Sequence, residues 1–414
     1  MGPISPPRRS LRHHLARLCG RTATLGSRAV GRGEGSVVGG AVAQRIDPTI
    51  AAELAEGKRV VLVSGTNGKT TTTRMVAEAV ATTTVVAHNR TGANLANGIV
   101  GALMDTPTAD TAVLEVDEGF VPWAMDTLAP DTVVLLNLSR DQLDRMHEVS
   151  SLAGRWRTAL AAHPPRVVVA NADDPLVVYA AGDLTTVWVG AGLSWTTDAT
   201  TCLWCGGVIE FPESGWRCTR CDHRRPPCAV TLDGDSVDAT DWHVELRLPL
   251  PGRSVRANAV MALAAADQLR VPVAAAVERW RTIRSIEGRY EVSTYAGTEM
   301  RLHLAKNPAG WSDTLDMLAT DELPVILVLN ARGQDGRDPS WIWDVPFEQL
   351  QGRTAVCLGE RGTDLAVRLT YADVDAKEAD TLREATALVG AGPVHVVANY
   401  SAFQQLRPIV ARGR

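Results

Sequence analysis

The residues best suited to chemistry lie at Ser64 to Thr72, where SGTNGKTTT follows the β-branched run Val60, Val61, Leu62 and Val63. Such a run bounded by small residues reads as a buried parallel strand. Gly65, Thr66, Asn67 and Gly68 then form a small-residue turn, and Lys69, Thr70 and Thr71 open a helical pattern that continues to Ala77. The amides at a helix start have no partners within the helix, and the helix dipole adds partial positive charge there, so the turn suits a phosphate chain. Lys69 would reach the terminal phosphates, and the Thr70 hydroxyl would hold Mg²⁺. The spacing is shorter than the full G-x-x-x-x-G-K-[ST], because Gly65 stands close before Gly68. The element is read as an ATP site, against the plainer reading of a glycine turn that merely links strand to helix.

Two further groups carry chemistry. The strand-like TAVLEV of Thr111 to Val116 delivers Glu115, Asp117 and Glu118 to a strand end. Open α/β sheets bind ligands at that end. One of these carboxylates could face Thr70 across Mg²⁺, or the three could form a solvated acidic turn. Further on, Cys202 and Cys205 form one C-x-x-C knuckle and Cys218 and Cys221 another. Two such knuckles give a tetrahedral thiolate set for a structural Zn²⁺, with no position left open for catalysis. Cys19, Cys228 and Cys357 have no catalytic neighbour in sequence and read as buried or incidental thiols.

These groups need elements to hold them. Strands alternate with helical stretches from Val60 to Ala180, which implies right-handed βαβ crossovers and a mostly parallel sheet. The fold class is therefore α/β. Val255 to Leu269 reads as an apolar helix with Asn258 near its start, and a fresh α/β pattern follows with strands expected at 300–304, 325–329, 354–358 and 394–398. The expected parts are a basic arm over 1–45, a central domain over 46–294 with a cysteine insert at about 196–228, and a C-terminal α/β domain over 295–414.

Composition sets limits. With 414 residues, the chain can build several cores, and a net charge of −5 argues against a general nucleic-acid binder. No apolar run is long enough to span a bilayer. Seven cysteines, four of them in close pairs, favour metal over disulfides and hence a reducing cytoplasm. The arm differs from the rest: Arg8, Arg9, Arg12, Arg17, Arg21, Arg28 and Arg32 crowd a stretch whose one acid is Glu34, while Leu11, Leu15 and Leu18 recur at helical spacing. A basic amphipathic helix could rest on the inner face of the cell membrane, or the segment could be a solvated arm.

The motifs together resemble a family. SGTNGKTTT, LEVDEG at Leu114 to Gly119, LNLSRDQLDR at Leu136 to Arg145, NADDP at Asn171 to Pro175, ANAVMALAA at Ala257 to Ala265 and EGRYE at Glu287 to Glu291 resemble the Mur ligases of peptidoglycan synthesis. The cysteine knuckles, LAKNPAGW at Leu304 to Trp311 and DGRDPSWIWD at Asp335 to Asp344 resemble their MurT branch, the ligase subunits of lipid II isoglutaminyl synthases. The resemblance implies an ATP-dependent amidation in which the α-carboxylate of D-glutamate in the lipid II stem is phosphorylated and ammonia displaces the phosphate. It implies that Lys69, with Mg²⁺ on Thr70 and Glu115, neutralises the phosphates, that Asn258 contacts the adenine side, and that Lys306 and Asn307 close over the nucleotide. No glutaminase is recognisable in the chain, so the resemblance also implies a separate GatD-like subunit carrying Cys and His. Asp338 would lend that subunit an orienting carboxylate, although Asp335, Asp338 and Asp344 could each cap a turn instead. Gln142 departs from the family, standing where many Mur ligases have histidine. Two other readings stay open: a Mur-type amino acid or peptide ligase that uses no glutaminase, and a non-catalytic nucleotide-binding scaffold.

Overall fold

The computed structural model describes residues 11–29, 35–90, 92–141, 149–283 and 289–412. Gln142, Asp144 and Arg145, and Glu287 and Gly288 of EGRYE, lie outside the described residues. Helices α1 (Leu11–Ala29), α2 (Ser36–Ile46) and α3 (Ile50–Ala55) come first. The phosphate-turn segment follows as β1 (Arg59–Ser64) and α4 (Lys69–Val80). The alternation continues through β2 (Val86–His88), α5 (Ala96–Asp105), β3 (Thr111–Glu115), α6 (Val121–Leu128) and β4 (Thr132–Leu135). After these come α7 (Val149–Ala162), β5 (Val167–Asn171), α8 (Pro175–Ala181) and β6 (Thr186–Gly190). The cysteine segment makes a small hairpin, β7 (Ile209–Glu210) and β8 (Arg217–Cys218). A meander of β9 (Val230–Asp233), β10 (Ser236–Ala239) and β11 (His243–Glu245) leads to α9 (Arg253–Gln268) and α10 (Val273–Trp280).

The first sheet has the order β11-β10-β9-β6-β5-β4-β1-β3-β2, parallel from β2 to β9 and closed by the antiparallel meander. β1 lies between β3 and β4. The chain builds outward to one side of β1 through β3 and to the other through β4, so the crevice at their C-terminal ends is where such sheets take ligands. Residues alternate across β1 because successive side chains face opposite sides of a strand. Val61 and Val63 pack under α4, α9 and α10, while Val60 and Leu62 pack with α3, α5 and α7. On each side a fully buried tryptophan also anchors backbone: the Trp280 indole N–H donates to Met75 O at 2.8 Å, and the Trp156 N–H donates to Glu118 O at 2.9 Å.

The remaining residues form a second sheet from β12 (Tyr290–Tyr295), β13 (Thr298–Leu304), β14 (Val325–Val328), β15 (Ala355–Leu358), β16 (Ala376–Glu378) and β17 (Val394–Ala398), in the order β12-β13-β17-β14-β15-β16. Helices α11 (Pro308–Leu318), α12 (Gly362–Thr370), α13 (Leu382–Val389) and α14 (Tyr400–Arg412) cover it. Residue 294 falls inside β12, which pairs antiparallel with β13 through a tight turn at Ala296 and Gly297. Among the described residues no helix is long and apolar enough to cross a membrane.

The basic segment is not a loose arm within the described residues. α1 packs on α2 through glycines: a Cβ on Gly20 would stand 2.9 Å from Gly39 O, and one on Gly40 would meet Asn97 O of α5 at 1.9 Å. Buried His13 of α1 pairs with Glu53 of α3 at 2.7 Å, beside Asp47. Gly40→Ala is therefore expected to push α2 off α5 and to lower stability by about 1–3 kcal/mol, read as an earlier denaturant midpoint.

Candidate active site

α4 begins on Gly68, which has φ +85° and supplies no side-chain cap. The first-turn amides are thus open to an anion. Gly68 is required twice over: its φ lies in the left-handed region, and a Cβ there would stand 2.1 Å from Asn258 Oδ1. Gly65 has φ +151°, and a Cβ on it would approach Leu136 at 2.8 Å. Asn137, at the end of β4, braces the turn: its Oδ1 accepts from Asn67 N at 2.9 Å and its Nδ2 donates to Asn67 O at 3.0 Å. Thr66 is tied likewise, its hydroxyl donating to Ser139 O at 3.1 Å. The cradle is therefore built before any ligand arrives.

Lys69 is buried. Its ammonium donates to Gly65 O at 2.5 Å and Thr66 O at 3.2 Å, and pairs with Glu118 at 2.8 Å. Glu118 stands where it does because Trp156 holds its carbonyl. Asp117 is pushed above the usual carboxylate range by burial and by the adjacent Glu118 charge. Glu115 and Thr70 both approach Gly92: a Cβ built there would lie 3.3 Å from Thr70 Oγ1 and 3.5 Å from Glu115 Oε2. Glu115 Oε1 accepts from Asn94 at 3.2 Å, whereas Oε2 is buried with no hydrogen-bond partner. A buried carboxylate oxygen left over beside a hydroxyl fits a hard divalent cation such as Mg²⁺. Arg289 Nη2 also reaches Thr70 Oγ1, at 3.3 Å.

The second sheet contributes its residues at one corner. Asn307 caps α11, its Oδ1 accepting from Gly310 N at 2.9 Å, and the same side chain exchanges amide contacts with Asn67 at 3.2 Å. Asn307 Nδ2 also donates to Asp141 Oδ1 at 3.0 Å, and Lys306 Nζ donates to Asp141 Oδ2 at 2.8 Å. Burial opposes both charges, yet each wins by its partner: Asp141 is held below the usual carboxylate range by Lys306, and Lys306 above the usual ammonium range by Asp141. Lys306 and Asn307 thus act as a clasp on the phosphate turn. Beside it an open cleft of about 980 Å³ is lined by the turn, Asn258, Arg289, His303 and Lys306.

Asp338 lies apart. It is exposed, accepts from Ser340 N at 2.8 Å, and is held below the usual carboxylate range by that N–H. The neighbouring acids are engaged. Asp335 is buried and accepts from Tyr400 N at 2.8 Å and Ser401 N at 2.7 Å at the start of α14, while Asp344 pairs with Arg140 at 3.0 Å. Glu118, Asp141 and Arg289 are the residues that motif reading quoted without assigning roles. Glu118 and Asp141 each follow a parallel strand end, which is the signal that could have singled them out.

The four cysteines converge. Cys202 and Cys221 sulfurs are 3.7 Å apart and those of Cys205 and Cys218 are 3.5 Å apart. Sulfurs around one tetrahedral Zn²⁺ stand roughly 3.8 Å apart, from Zn–S bonds of about 2.3 Å. Backbone amides point at the sulfurs in knuckle fashion, Gly207 N at 3.4 Å from Cys205 and Arg220 N at 3.3 Å from Cys218. The set is compatible with Zn²⁺. Trp216 ties the ribbon to the end of β5, its indole N–H donating to Ala172 O at 2.9 Å.

A parallel sheet carrying its phosphate turn at β1, clasped by a second α/β sheet, defines a Mur-type ATP-dependent ligase. The Mur ligase middle domain model matches residues 63–266, and the chain belongs to the Mur ligases. Within them it falls in the MurT branch, whose ligase C-terminal model matches residues 304–403. It is similar to the lipid II isoglutaminyl synthase (glutamine-hydrolyzing) subunit MurT of Staphylococcus aureus (strain COL), 29% identical with 87% of each chain covered. It is 27% identical to the subunit of the same name from Streptococcus pneumoniae, over 97% of this chain and 98% of that one. The fold is shared with a pseudomurein peptide ligase type C from Methanothermus fervidus, at TM-score 0.68 and 19% identity, covering 86% of this chain and 79% of that one.

Two outcomes follow from this geometry. Asp141→Asn keeps the shape of the clasp but removes its charge. A carboxyl with a depressed folded pKa stabilises at neutral pH and loses that contribution only as acid protonates it, so the variant should already show the loss at pH 7. Because Asp141 keeps 35% of its side chain exposed, the loss of stability is about 1 kcal/mol, seen as a lower denaturant midpoint at pH 7. Separately, metal analysis of the purified protein should give about one zinc per chain, and chelation should expose the 196–228 ribbon to protease while the turn at Gly68 stays protected.

Proposed function

We propose that this chain is the ligase subunit of a two-subunit enzyme that amidates the D-glutamate α-carboxylate of lipid II to D-isoglutamine. The single observation that carries the reading is the phosphate turn, with the orphaned Glu115 oxygen beside it, held by Lys306 and Asn307 of a MurT-type C-terminal domain. The relatives' names, which specify a glutamine-hydrolyzing synthase subunit, supply the substrate and the need for a partner. In this reading the part up to α10 forms the ATPase domain, and the part from β12 onward, which begins a few residues before the expected boundary at 294, is the domain that docks the glutaminase.

A carboxylate is a poor electrophile, so it must first be activated. Its oxygen attacks the γ-phosphorus of ATP, the bond to the bridging oxygen breaks, and ADP leaves as an acyl phosphate forms. Ammonia then adds to the acyl carbon, phosphate departs with the bond pair, and the nitrogen sheds a proton. The turn amides and Lys69 would bind and orient the phosphates, with Lys69 exchanging its carbonyl contacts for phosphate oxygens. Thr70 and Glu115 would hold Mg²⁺, which supplies charge neutralisation of the phosphates when bound. Asn258 would line the nucleotide's adenine side. Cys202, Cys205, Cys218 and Cys221 would hold Zn²⁺ as a staple away from the reaction.

Ammonia is mostly ammonium at neutral pH, so a GatD-like glutaminase is the proposed source. Asp338 is exposed, whereas Asp335 is buried capping α14 and Asp344, though exposed, is paired to Arg140; Asp338 would orient the partner's catalytic imidazole. Reconstitution with the glutaminase, ATP, Mg²⁺ and lipid II tests this. Asp338→Asn should lower glutamine-fed amidation by about 10²-fold or more, a loss of the size expected for a misoriented general base, and leave ammonia-fed amidation near wild type. Loss of both activities would place Asp338 in the ligase site instead.

A further inference from the structure

Helix α1 is built inside out. Its buried face carries His13, Ala16, Gly20, Thr24 and Ser27, which are small or polar, and its leucines face outward. Leu11 is 87% exposed, Leu15 52%, Leu18 62% and Leu25 62%. Their spacings of four, three and seven residues place them on one stripe of the helix. A lone exposed leucine is ordinary, but a stripe of four opposite a polar face is not.

The orientation is fixed by the fold. The inward face must be small because α2 approaches through Gly39: a Cβ on Gly39 would meet Thr24 Oγ1 at 2.0 Å and Gly20 O at 2.7 Å. His13 pins the helix by its 2.7 Å pair with Glu53, and Arg12 donates from Nε to Ile46 O. Turning the leucines inward would break these contacts and drive large side chains into a glycine-lined seam. The stripe is thus a constructed outer surface.

Charge selects what covers it. α1 contains Arg12, Arg17, Arg21 and Arg28 and no acidic residue, on a chain whose net charge is −5. On the helix wheel Arg17, Arg21 and Arg28 flank the stripe on one side, Arg28 standing 3.9 Å from Asp105, while Arg12 on the other side is held by Ile46 O. Leucines between arginines match the boundary of an anionic bilayer, where the apolar side chains enter below the headgroups and the guanidinium groups stay among the phosphates. We infer that the leucine face of α1 docks this chain on an anionic lipid surface. This rests in part on the reading above, since a lipid-borne substrate requires its enzyme at the bilayer, but the helix face argues for it separately.

Co-sedimentation of the full chain with phosphatidylcholine vesicles, with and without phosphatidylglycerol, tests the inference. The wild type should bind the anionic vesicles, weaken as salt is raised, and bind the neutral vesicles poorly. The combined variant Leu11→Ser, Leu15→Ser, Leu18→Ser and Leu25→Ser should lose at least about tenfold in vesicle partition, with unchanged thermal melting and chromatographic size. Arg17→Gln with Arg21→Gln should reduce the salt-sensitive part and keep the fold. Failure of the wild type to bind anionic vesicles, or undiminished binding by the leucine variant, overturns the inference. A leucine variant that loses self-association or partner binding with vesicle binding intact puts a protein on this face and overturns it too. Amidation of a water-soluble precursor without the lipid tail separates the two readings: the leucine variant should match wild type there and fall behind on vesicle-borne lipid II. Wild-type inactivity on both substrates would sink the ligase reading without touching the vesicle result.

Discussion

A helix that starts on a glycine with no side-chain cap leaves its first-turn amides to be satisfied from outside, and at α4 the surrounding residues keep that need in place. Asn137 and Ser139 hold the loop open from β4, and Asn258 fills the space that a side chain at residue 68 would occupy. Among the described residues Lys69 finds loop carbonyls and Glu118 as partners. An anion with several oxygens satisfies both the amides and the ammonium at once. Much of the molecule can be read as support for that one unsatisfied turn: β1 places it between β3 and β4, Trp156 sets Glu118, and Trp280 locks the C-terminal half of the α9–α10 layer against α4.

The same turn is where the two sheets meet. Asn67 belongs to the phosphate turn and Asn307 to the cap of α11, and their amides touch. Asp141 gathers Lys306 and Asn307 into the same corner. Any change that repositions the phosphates is therefore felt directly by the second sheet, and the second sheet also carries Asp338 on its outer loop. The phosphate turn and the loop that carries Asp338 are linked through short connections: Asn67 to Asn307 at the start of α11 on one side, and Arg140 to Asp344 on the other.

The parts of this arrangement that local sequence encodes were legible. Strand, turn and α4 are contiguous, so periodicity and glycine placement reveal them, and the knuckles reveal the ribbon by spacing alone. Contacts between distant residues were not legible in the same way. Nothing in the sequence around Asp141 announces Lys306, and Glu118 looks like one acid among three until Trp156 and Lys69 fix it. Tertiary packing also settles what local rules leave open. The spacing of Leu11, Leu15 and Leu18 shows an amphipathic helix but not what covers its other face; the glycines on α2, distant in sequence, admit the small and polar face of α1 and leave the leucines outside. The expected boundary at 294 was not legible to the residue, because backbone pairing makes Tyr290–Tyr295 the edge strand β12 of the second sheet.

The central claim is that the phosphate turn serves to activate a carboxylate. Lipid II carrying heavy oxygen in the α-carboxylate of its D-glutamate, turned over with ATP and the glutaminase, measures this directly by mass spectrometry of the released phosphate. Activation as an acyl phosphate predicts that one labelled oxygen passes into inorganic phosphate for each amide formed. Amide formation with unlabelled phosphate, or ATP hydrolysis with no dependence on the labelled substrate, would contradict the account.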